Sequence, residues 1–247
     1  MFTSSTKDFL FKLRYQFKGV PFHIGDQAIR LDESLRRWQV GSEWAFQEVL
    51  KKYLRSGDVF IDVGANFGLH TLYAAKLVGN QGRVFAFEPV PSNLKLLRKN
   101  IALSNVEQQV TIVPKAVSNA DDQYLSFYIP QEDVPVTASL HGNSEQLQMI
   151  QVANVRLDDY WRDINLPVHL IKIDVEGAEM EVLRGSEKLL KQWQPNLLIE
   201  VHGFALPNFG SSVDTLRDFL NNLGYKENLL PGEQFHGEDY FQAIYLR

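Results

Sequence analysis

The chain has 247 residues, of which 45% are hydrophobic and 22% are charged, and it contains no cysteine. This is an ordinary globular composition, and the lack of cysteine excludes disulfides, a thiolate nucleophile and cysteine-ligated zinc or iron–sulfur sites. The net charge of −5 is distributed unevenly, since residues 1–57 hold ten Lys or Arg against six Asp or Glu. The remaining body is therefore acidic, which is a poor electrostatic surface for nucleic acid, and we expect no nucleic-acid partner.

Residues 1–41 are expected to form a helical or hairpin extension that precedes the main domain, 42–247. Four apolar residues recur there at helical spacing among basic ones: Phe9, Leu10, Leu13 and Phe17. This pattern suits either an interfacial membrane helix or a helix that docks on its own domain, and we favour docking. No run approaches the ~18 apolar residues of a membrane span, and the apolar region of a signal peptide is missing. We therefore expect a cytoplasmic protein.

From residue 42 onward, predicted strands and helices alternate along the chain. The predicted strands are 58–63, 83–87, 110–113, 124–129, 152–157, 168–173, 197–201 and 240–246. The predicted helices are one capped by Ser42 and running to Leu54, then 69–78, 91–103, 179–183 and 212–223. This alternation predicts an α/β fold with a mostly parallel sheet covered by helices on both faces. The segment 118–160 breaks the rhythm, and we interpret it as an insertion in the domain.

Ligands of such sheets bind beyond the carboxyl ends of the strands. Polar and small residues follow five predicted strands at this edge: Asp62, Gly64, Asn66, Gly68, Glu88, Lys115, Ala116, Val117, Asp174, Glu176, Glu200 and His202. We therefore expect the chemistry of the protein at this edge.

The loop Asp62–Gly68 is rich in glycine, which lets a backbone approach a ligand closely. The loop lacks the third glycine of the dinucleotide-binding fingerprint. Glu88 ends the second predicted strand, where a carboxylate can accept hydrogen bonds from ribose hydroxyls. A pyrophosphate favours a helix N-terminus without negative charge, whereas an acidic loop suits a cationic group such as a sulfonium. Together with Asp174, these features indicate S-adenosylmethionine rather than NAD.

Four segments resemble the FkbM family, which comprises S-adenosylmethionine-dependent methyltransferases of the class I, Rossmann-like type. They are VFIDVGANFGLHT (59–71), VFAFEPVPSNLKLLRKN (84–100), the step 115–118 and LIKIDVEGAEMEVLRG (170–185). The resemblance covers about residues 43–203. It implies a seven-stranded, mostly parallel sheet that ends in an antiparallel hairpin. It also implies O-methylation of a hydroxyl, often on a sugar or a natural product, without identifying the acceptor.

The resemblance also implies cofactor-binding residues. The positions that match the methionine-binding motif are Asp62, Gly64, Ala65, Asn66 and Gly68, with Thr71 in the following helix. Glu88 matches the ribose-binding acid and Pro89 lies beside it. Ala116 and Val117 match the step along the adenine, and Asp174 and Glu176 match the block beside the transferred methyl group.

Lys172 lies in a strongly apolar predicted strand, where an unpaired charge would be costly. Because side chains alternate along a strand, Lys172 and Asp174 face the same way. Asp62 and Glu200 on neighbouring strands are candidate partners. Two roles stay open at this stage: a lysine that activates the acceptor or fixes a catalytic acid, and a structural buried ion pair.

Glu200 and His202 share one face of the next strand, and we expect them to close the pocket. With Asp174 and Lys172 they form the candidate catalytic set. We first favour His202 as the general base, since its unperturbed pKa of ~6.5 suits neutral pH. In a second interpretation, Asp174, Glu200 and His202 hold a divalent metal, to which we do not commit. In a third, Glu200 and His202 only hydrogen-bond to loop backbone.

Acceptor choice is expected to depend on two segments. Residues 133–146 form a long loop of the kind that often acts as a lid, and 203–212 offer apolar and aromatic surface. His70 and His141 are further candidates for lining the pocket. The sequence thus predicts an O-methyltransferase for a small-molecule or carbohydrate acceptor. The alternative is an inactive methyltransferase-fold module that binds cofactor or nucleoside, and an NAD-dependent oxidoreductase is disfavoured by the acidic loop.

Overall fold

A computed structural model of the chain describes residues 11, 14–36, 43–130, 147–231 and 239–247. Within these residues the strands are β1 (Val20–Ile24), β2 (Gln27–Leu31), β3 (Val59–Val63), β4 (Arg83–Phe87), β5 (Val110–Val113), β6 (Ala116–Val117), β7 (Tyr124–Pro130), β8 (Leu147–Val155), β9 (Leu170–Ile173), β10 (Asn196–Val201), β11 (Lys226–Leu229) and β12 (Phe241–Leu246). The α-helices are α1 (Trp44–Tyr53), α2 (Leu69–Val78), α3 (Pro91–Ser104), α4 (Leu157–Trp161), α5 (Glu179–Arg184), α6 (Glu187–Trp193) and α7 (Val213–Asn222).

Seven strands form the central sheet in the order β11-β12-β10-β9-β3-β4-β5. Strands β10, β9, β3, β4 and β5 pair in parallel, and β12 joins the sheet antiparallel to both β10 and β11. The fold class is thereby confirmed: an α/β, mostly parallel seven-stranded sheet with an antiparallel C-terminal end.

The central strands are apolar because both faces of the sheet are covered by helices. All five residues of β3 are buried. Alternate residues enter different hydrophobic clusters, with Ile61 in the cluster that contains α5 and α7 and Phe60 in the cluster that contains α1 and α2. This two-sided burial explains why the strand is a continuous apolar run.

The N-terminal extension contributes a β-hairpin, in which β1 pairs antiparallel with β2. Ile29 and Leu31 of this hairpin belong to the same hydrophobic cluster as Phe46 of α1. Of the predicted amphipathic helix, Phe9, Leu10 and Leu13 lie outside the described residues. Phe17 is 84% exposed.

The insertion after β5 contains a small sheet of three strands in the order β6-β8-β7. Strand β8 was predicted to begin at 152 but begins at Leu147. The predicted loop 133–146, including His141, lies outside the described residues, as does Ser42, the predicted cap of α1. The described residues include no helix long and apolar enough to cross a membrane.

Candidate active site

A cleft of about 660 Å³, measured with the open solvent at its mouth, lies beyond the carboxyl ends of β3, β4 and β9. Its lining includes eight of the residues predicted to bind cofactor: Gly64, Asn66, Glu88, Pro89, Ala116, Val117, Asp174 and Glu176. Phe127 of the inserted sheet closes one side. The loops after the parallel strands thus converge as the sheet topology predicts.

Gly64 makes close approach possible between the loops that follow β3 and β9. Its φ is +79°, and a Cβ atom at this position would lie 1.9 Å from the backbone oxygen of Asp174. Its N–H donates to the Phe87 carbonyl at 3.1 Å. A larger residue would push Asp174 away, so the glycine fixes the width of the cleft.

Glu88 is held at the bottom of the cleft by backbone donors. Its Oε2 accepts from the Asn66 N–H and its Oε1 from the Val90 N–H, both at 2.8 Å. The residue is only 4% exposed, and burial raises the pKa of its carboxyl to about 7 against the effect of these hydrogen bonds. The fixed carboxylate still has lone pairs for hydroxyl donors of a ligand.

Asn93 is a lining residue that the sequence analysis missed. Its Nδ2 donates to Glu88 Oε1 at 3.3 Å, while its Oδ1 is buried and has no hydrogen-bond partner among the described residues. A polar residue in the first turn of a helix, two positions after Pro91, was the available signal. The unpaired oxygen is an acceptor for a ligand donor, since buried polar atoms are normally paired.

Four predicted cofactor residues do not line the cleft: Asp62, Ala65, Gly68 and Thr71. Asp62 is fully buried and accepts a hydrogen bond from the Thr71 hydroxyl at 2.6 Å. Gly68 caps α2 with a φ of +96°. These residues therefore shape the glycine-rich loop without lining the cleft.

Lys172 joins the carboxylates of two strands. Its Nζ lies 3.1 Å from Asp174 Oδ2 and 3.4 Å from Asp62 Oδ1, and it donates to the Gly64 carbonyl at 2.8 Å. Burial opposes the charge of Lys172, but Asp174 and Asp62 outweigh burial and raise the pKa of the ammonium. Asp62 is thus one of the two partners that the sequence suggested; Glu200 makes no ion pair with Lys172 within the described structure.

His202 is buried among acids. Its Nδ1 lies 2.8 Å from Oε1 of Glu179, which is itself fully buried, and its Nε2 lies 3.4 Å from Glu176 Oε2. Burial lowers the pKa of His202, but Glu179 and the neighbouring acids outweigh it and raise the pKa to about 9. His202 in these surroundings is mostly protonated at neutral pH, and an imidazolium cannot accept a proton.

Glu200 is held by the last strand of the sheet. Tyr240 donates its hydroxyl to Glu200 Oε1, and the Gln242 amide donates to Oε2 at 3.3 Å. Burial, together with the charge of Asp174, raises the pKa of Glu200 to about 8. Asp174, Glu200 and His202 place ligand-type atoms within 4.8 Å of one another.

His70 does not reach the cleft lining. It is buried against Phe46, and its Nε2 lies 3.9 Å from Glu43 Oε2. Burial lowers the pKa of His70 to about 4, so its ring is neutral. Glu43, which the sequence analysis did not single out, has a raised pKa because of burial and the nearby Asp174.

The sheet order and the cleft together define the Rossmann-like fold of class I methyltransferases. The solved structure of a putative rRNA methylase from Clostridium thermocellum superposes with a TM-score of 0.55 at 12% identity, covering 83% of this chain and 96% of that one. At this identity the likeness concerns the fold alone.

Sequence comparison identifies the family within this fold. The methyltransferase FkbM domain model matches residues 62–227, and the chain belongs to this family. The predicted family is thereby confirmed.

Three curated relatives show how far the likeness extends. "Methyltransferase 1" of Beauveria bassiana is 30% identical over 57% of this chain and 63% of its own length. The hexuronic acid methyltransferase AglP of Haloferax volcanii is 28% identical over 67% of this chain and 66% of its own. The 31-O-demethyl-FK506 methyltransferase FkbM of Streptomyces tacrolimicus is 31% identical over 54% and 61%. The chain therefore spans a little under two thirds of these relatives.

Proposed function

We propose that the chain is an S-adenosylmethionine-dependent O-methyltransferase that acts on a hydroxyl group of a small molecule or a sugar. Membership of the FkbM family supports methyl transfer. Two relatives are named for methylation of a hexuronic acid and of 31-O-demethyl-FK506. The observation that carries the proposal is the cleft in which a fixed Glu88 and a cluster of acids converge around Gly64.

The cleft offers the groups that the cofactor requires. Glu88 would accept hydrogen bonds from the two ribose hydroxyls, because its oxygens are fixed by Asn66 and Val90. The unpaired Asn93 Oδ1 is available to a further donor. Ala116 and Val117 provide a flat apolar wall for an adenine ring.

The opposite side of the cleft is acidic, with Asp174 and Glu176 in its lining. Carboxylates stabilise the positive charges of a sulfonium and an ammonium. When bound, S-adenosylmethionine supplies a methyl carbon whose C–S bond breaks as the acceptor oxygen forms its C–O bond, which leaves a neutral thioether. The residues of the chain then have two tasks: to orient the acceptor oxygen and to receive its proton.

We assign both tasks to the edge formed by Asp174, Glu200 and His202. For His202 to be the base, its pKa must fall from about 9. A bound sulfonium would act in that direction, because a nearby positive charge disfavours the imidazolium. The acceptor would enter beside Phe204, which is 63% exposed and packs its ring edge-on against His202.

The test is transfer of a tritiated methyl group from S-adenosylmethionine to a library of hydroxylated small molecules and sugars. We expect label in an ether product that resists mild base, which distinguishes it from a methyl ester. Label on an amine or carbon would contradict the O-methyl assignment. Cofactor binding without transfer to any acceptor would favour the alternative, an inactive module with a methyltransferase fold.

A further inference from the structure

We propose that Asp174, Glu200 and His202 bind a divalent cation of the Mg²⁺ or Mn²⁺ class, which holds the acceptor oxygen during methyl transfer. The inference rests on the proposed function and assigns a ligand to its catalytic edge. The three side chains follow β9 and end β10, two strands that pair directly in parallel. Their ligand-type atoms lie within 4.8 Å of one another.

Each of the three side chains is held by its own neighbours, and Asp174 is paired with Lys172 at 3.1 Å. Glu179 holds His202, as Tyr240 and Gln242 hold Glu200. These neighbours are outside the trio. Metal ligands in proteins are typically oriented by such outer hydrogen bonds, which set the direction of their lone pairs.

The contact between His202 and Glu179 determines which ring nitrogen is available. A carboxylate only accepts hydrogen bonds, so the proton between the two groups belongs to Nδ1 of His202. Nε2 is the second ring nitrogen, and a cation that binds there would displace its proton and take its lone pair. A histidine that donates one N–H to a buried carboxylate and ligates through its other nitrogen is the common arrangement at metal sites.

Nε2 of His202 belongs to a buried side chain and faces acidic residues beside the cleft. The residue is 4% exposed, and its Nδ1 is already engaged by Glu179. Its charged contacts are carboxylate oxygens, Glu176 Oε2 at 3.4 Å and Glu200 Oε1 at 3.9 Å. Without a metal, the proton on Nε2 balances these carboxylates, and a divalent cation bound at Nε2 would take its place.

The charge around the trio is also unbalanced. Glu176 Oε2 lies 3.4 Å from His202 Nε2, so a further carboxylate faces the trio. Lys172 is already engaged by Asp174 and Asp62. A divalent cation would relieve this repulsion.

The chemical types of the three ligand atoms narrow the choice of metal ion. Carboxylate oxygens suit Mg²⁺, Ca²⁺ and Mn²⁺, while imidazole favours the transition metals. Ligands on opposite sides of Mg²⁺ are ~4.2 Å apart, and those of Ca²⁺ are ~5 Å apart. A separation within 4.8 Å therefore fits after a small contraction, and the mixed set favours Mn²⁺.

Such an ion would act on the acceptor alone. Coordination lowers the pKa of a hydroxyl, so its proton can pass to water while the oxygen keeps the electron pair that forms the new C–O bond. His202 is then a ligand rather than the base.

The experiment is titration of the full chain with Mn²⁺, with and without S-adenosylhomocysteine. Binding is monitored as the loss of the electron paramagnetic resonance signal of the free ion. We expect one saturable site for which Mg²⁺ competes. Glu200→Gln and His202→Asn should each weaken Mn²⁺ binding at least tenfold. The asparagine keeps a donor for Glu179 but has no atom in place of Nε2.

Three controls keep the outcome clear. Glu107→Gln makes the same chemical change on an exposed residue and should leave Mn²⁺ affinity unchanged. Glu179→Gln should weaken it by roughly 10–100-fold through the orientation of His202. Circular dichroism melting verifies that each variant is folded. Absence of a saturable site, or equal affinity in Glu200→Gln, would overturn the inference.

Failure of the metal inference can be told apart from failure of the proposed function. Calorimetry with S-adenosylhomocysteine on the same samples measures cofactor binding alone. Cofactor binding without a Mn²⁺ site would leave an O-methyltransferase that uses no metal at this edge. Loss of cofactor binding would instead reject the proposed function.

Discussion

The cleft and the charged edge around His202 are built on different physical principles. The Glu88 side is held mainly by backbone: Glu88 accepts two backbone N–H groups, and Gly64 packs against the backbone of Asp174. The edge around His202 and Glu200, which were expected to close the pocket but do not line the cleft, is held by side chains, most of them charged and several with shifted pKa values. A rigid, weakly charged side suits a cofactor that stays the same across a family. The charged side suits chemistry, because proton and ion binding depend on such unbalanced groups.

Among the tests of this contrast, Lys172→Met is expected to have the largest effect, because it removes the cation that pairs with the carboxylates of the charged side. Asp62 and Asp174 would then be left near each other without their common partner. Breaking one partner of a buried pair costs about 3–5 kcal/mol. Urea denaturation at pH 7 should show this loss, and a loss below about 1 kcal/mol would mean that the ion pair is not important for folding.

Gly64→Ala tests the backbone side. The new Cβ would meet the Asp174 carbonyl, and the positive φ itself costs roughly 1–2 kcal/mol. Gly57→Ala is the matched control, because Gly57 has a φ of +94° and open space around it. We expect Gly57→Ala to lose only the conformational cost and Gly64→Ala to lose more, together with affinity for S-adenosylhomocysteine. Equal destabilisation and retained affinity in both variants would show that the close approach of Gly64 to Asp174 is not important for the site.

Glu88→Ala has a smaller expected effect that is confined to cofactor binding. Each hydrogen bond to a charged group is worth roughly 1.5–3 kcal/mol, so affinity for S-adenosylhomocysteine should fall at least tenfold. Isothermal calorimetry measures this directly. An unchanged dissociation constant in the folded variant would take Glu88 out of the ribose site.

The pKa of Glu88 gives the smallest and most specific prediction. Because the folded-state pKa is raised to about 7, the contribution of Glu88 to stability is complete below pH 4.5 and is lost as the pH rises through 7. Cofactor affinity should change in the opposite direction, rising severalfold between about pH 6 and 8, since the ionised carboxylate is the better acceptor. Glu88→Gln should flatten both curves. A wild-type affinity that does not change over this range would contradict the assignment.

The sequence predicted the backbone side of the site better than the charged side. The loop Asp62–Gly68 lies at the end of β3, and Glu88 follows the neighbouring strand β4. A local sequence motif and the alternation of strands and helices were therefore enough to predict this part of the site. Asp174, Glu200 and His202 were also predicted, because they follow or end strands that are mostly apolar.

What the sequence could not show was which acids surround His202. Glu179 reads as a first-turn acid of a helix, a position usually exposed, yet it is fully buried. Tyr240 precedes β12 and reaches the site only because that strand pairs with β10. The resulting rise in the pKa of His202 depends on these tertiary contacts, and the initial preference for His202 as the base did not take them into account.

The sequence analysis also failed to predict short, irregular strands. β11 consists of the polar and mostly exposed segment Lys226–Leu229, which carries no strand pattern of its own. It forms because β12 offers a free edge. The hairpin β1–β2 was anticipated only in general terms, as part of the N-terminal extension.

The central claim is that the cleft binds S-adenosylmethionine, and calorimetric titration of the folded chain with S-adenosylhomocysteine tests it most directly. The account predicts binding at one site per chain, weakened at least tenfold in Glu88→Ala and unchanged in Glu107→Ala, with no heat from NAD under the same conditions. Absence of binding to S-adenosylhomocysteine, or binding of NAD that depends on Glu88, would contradict it.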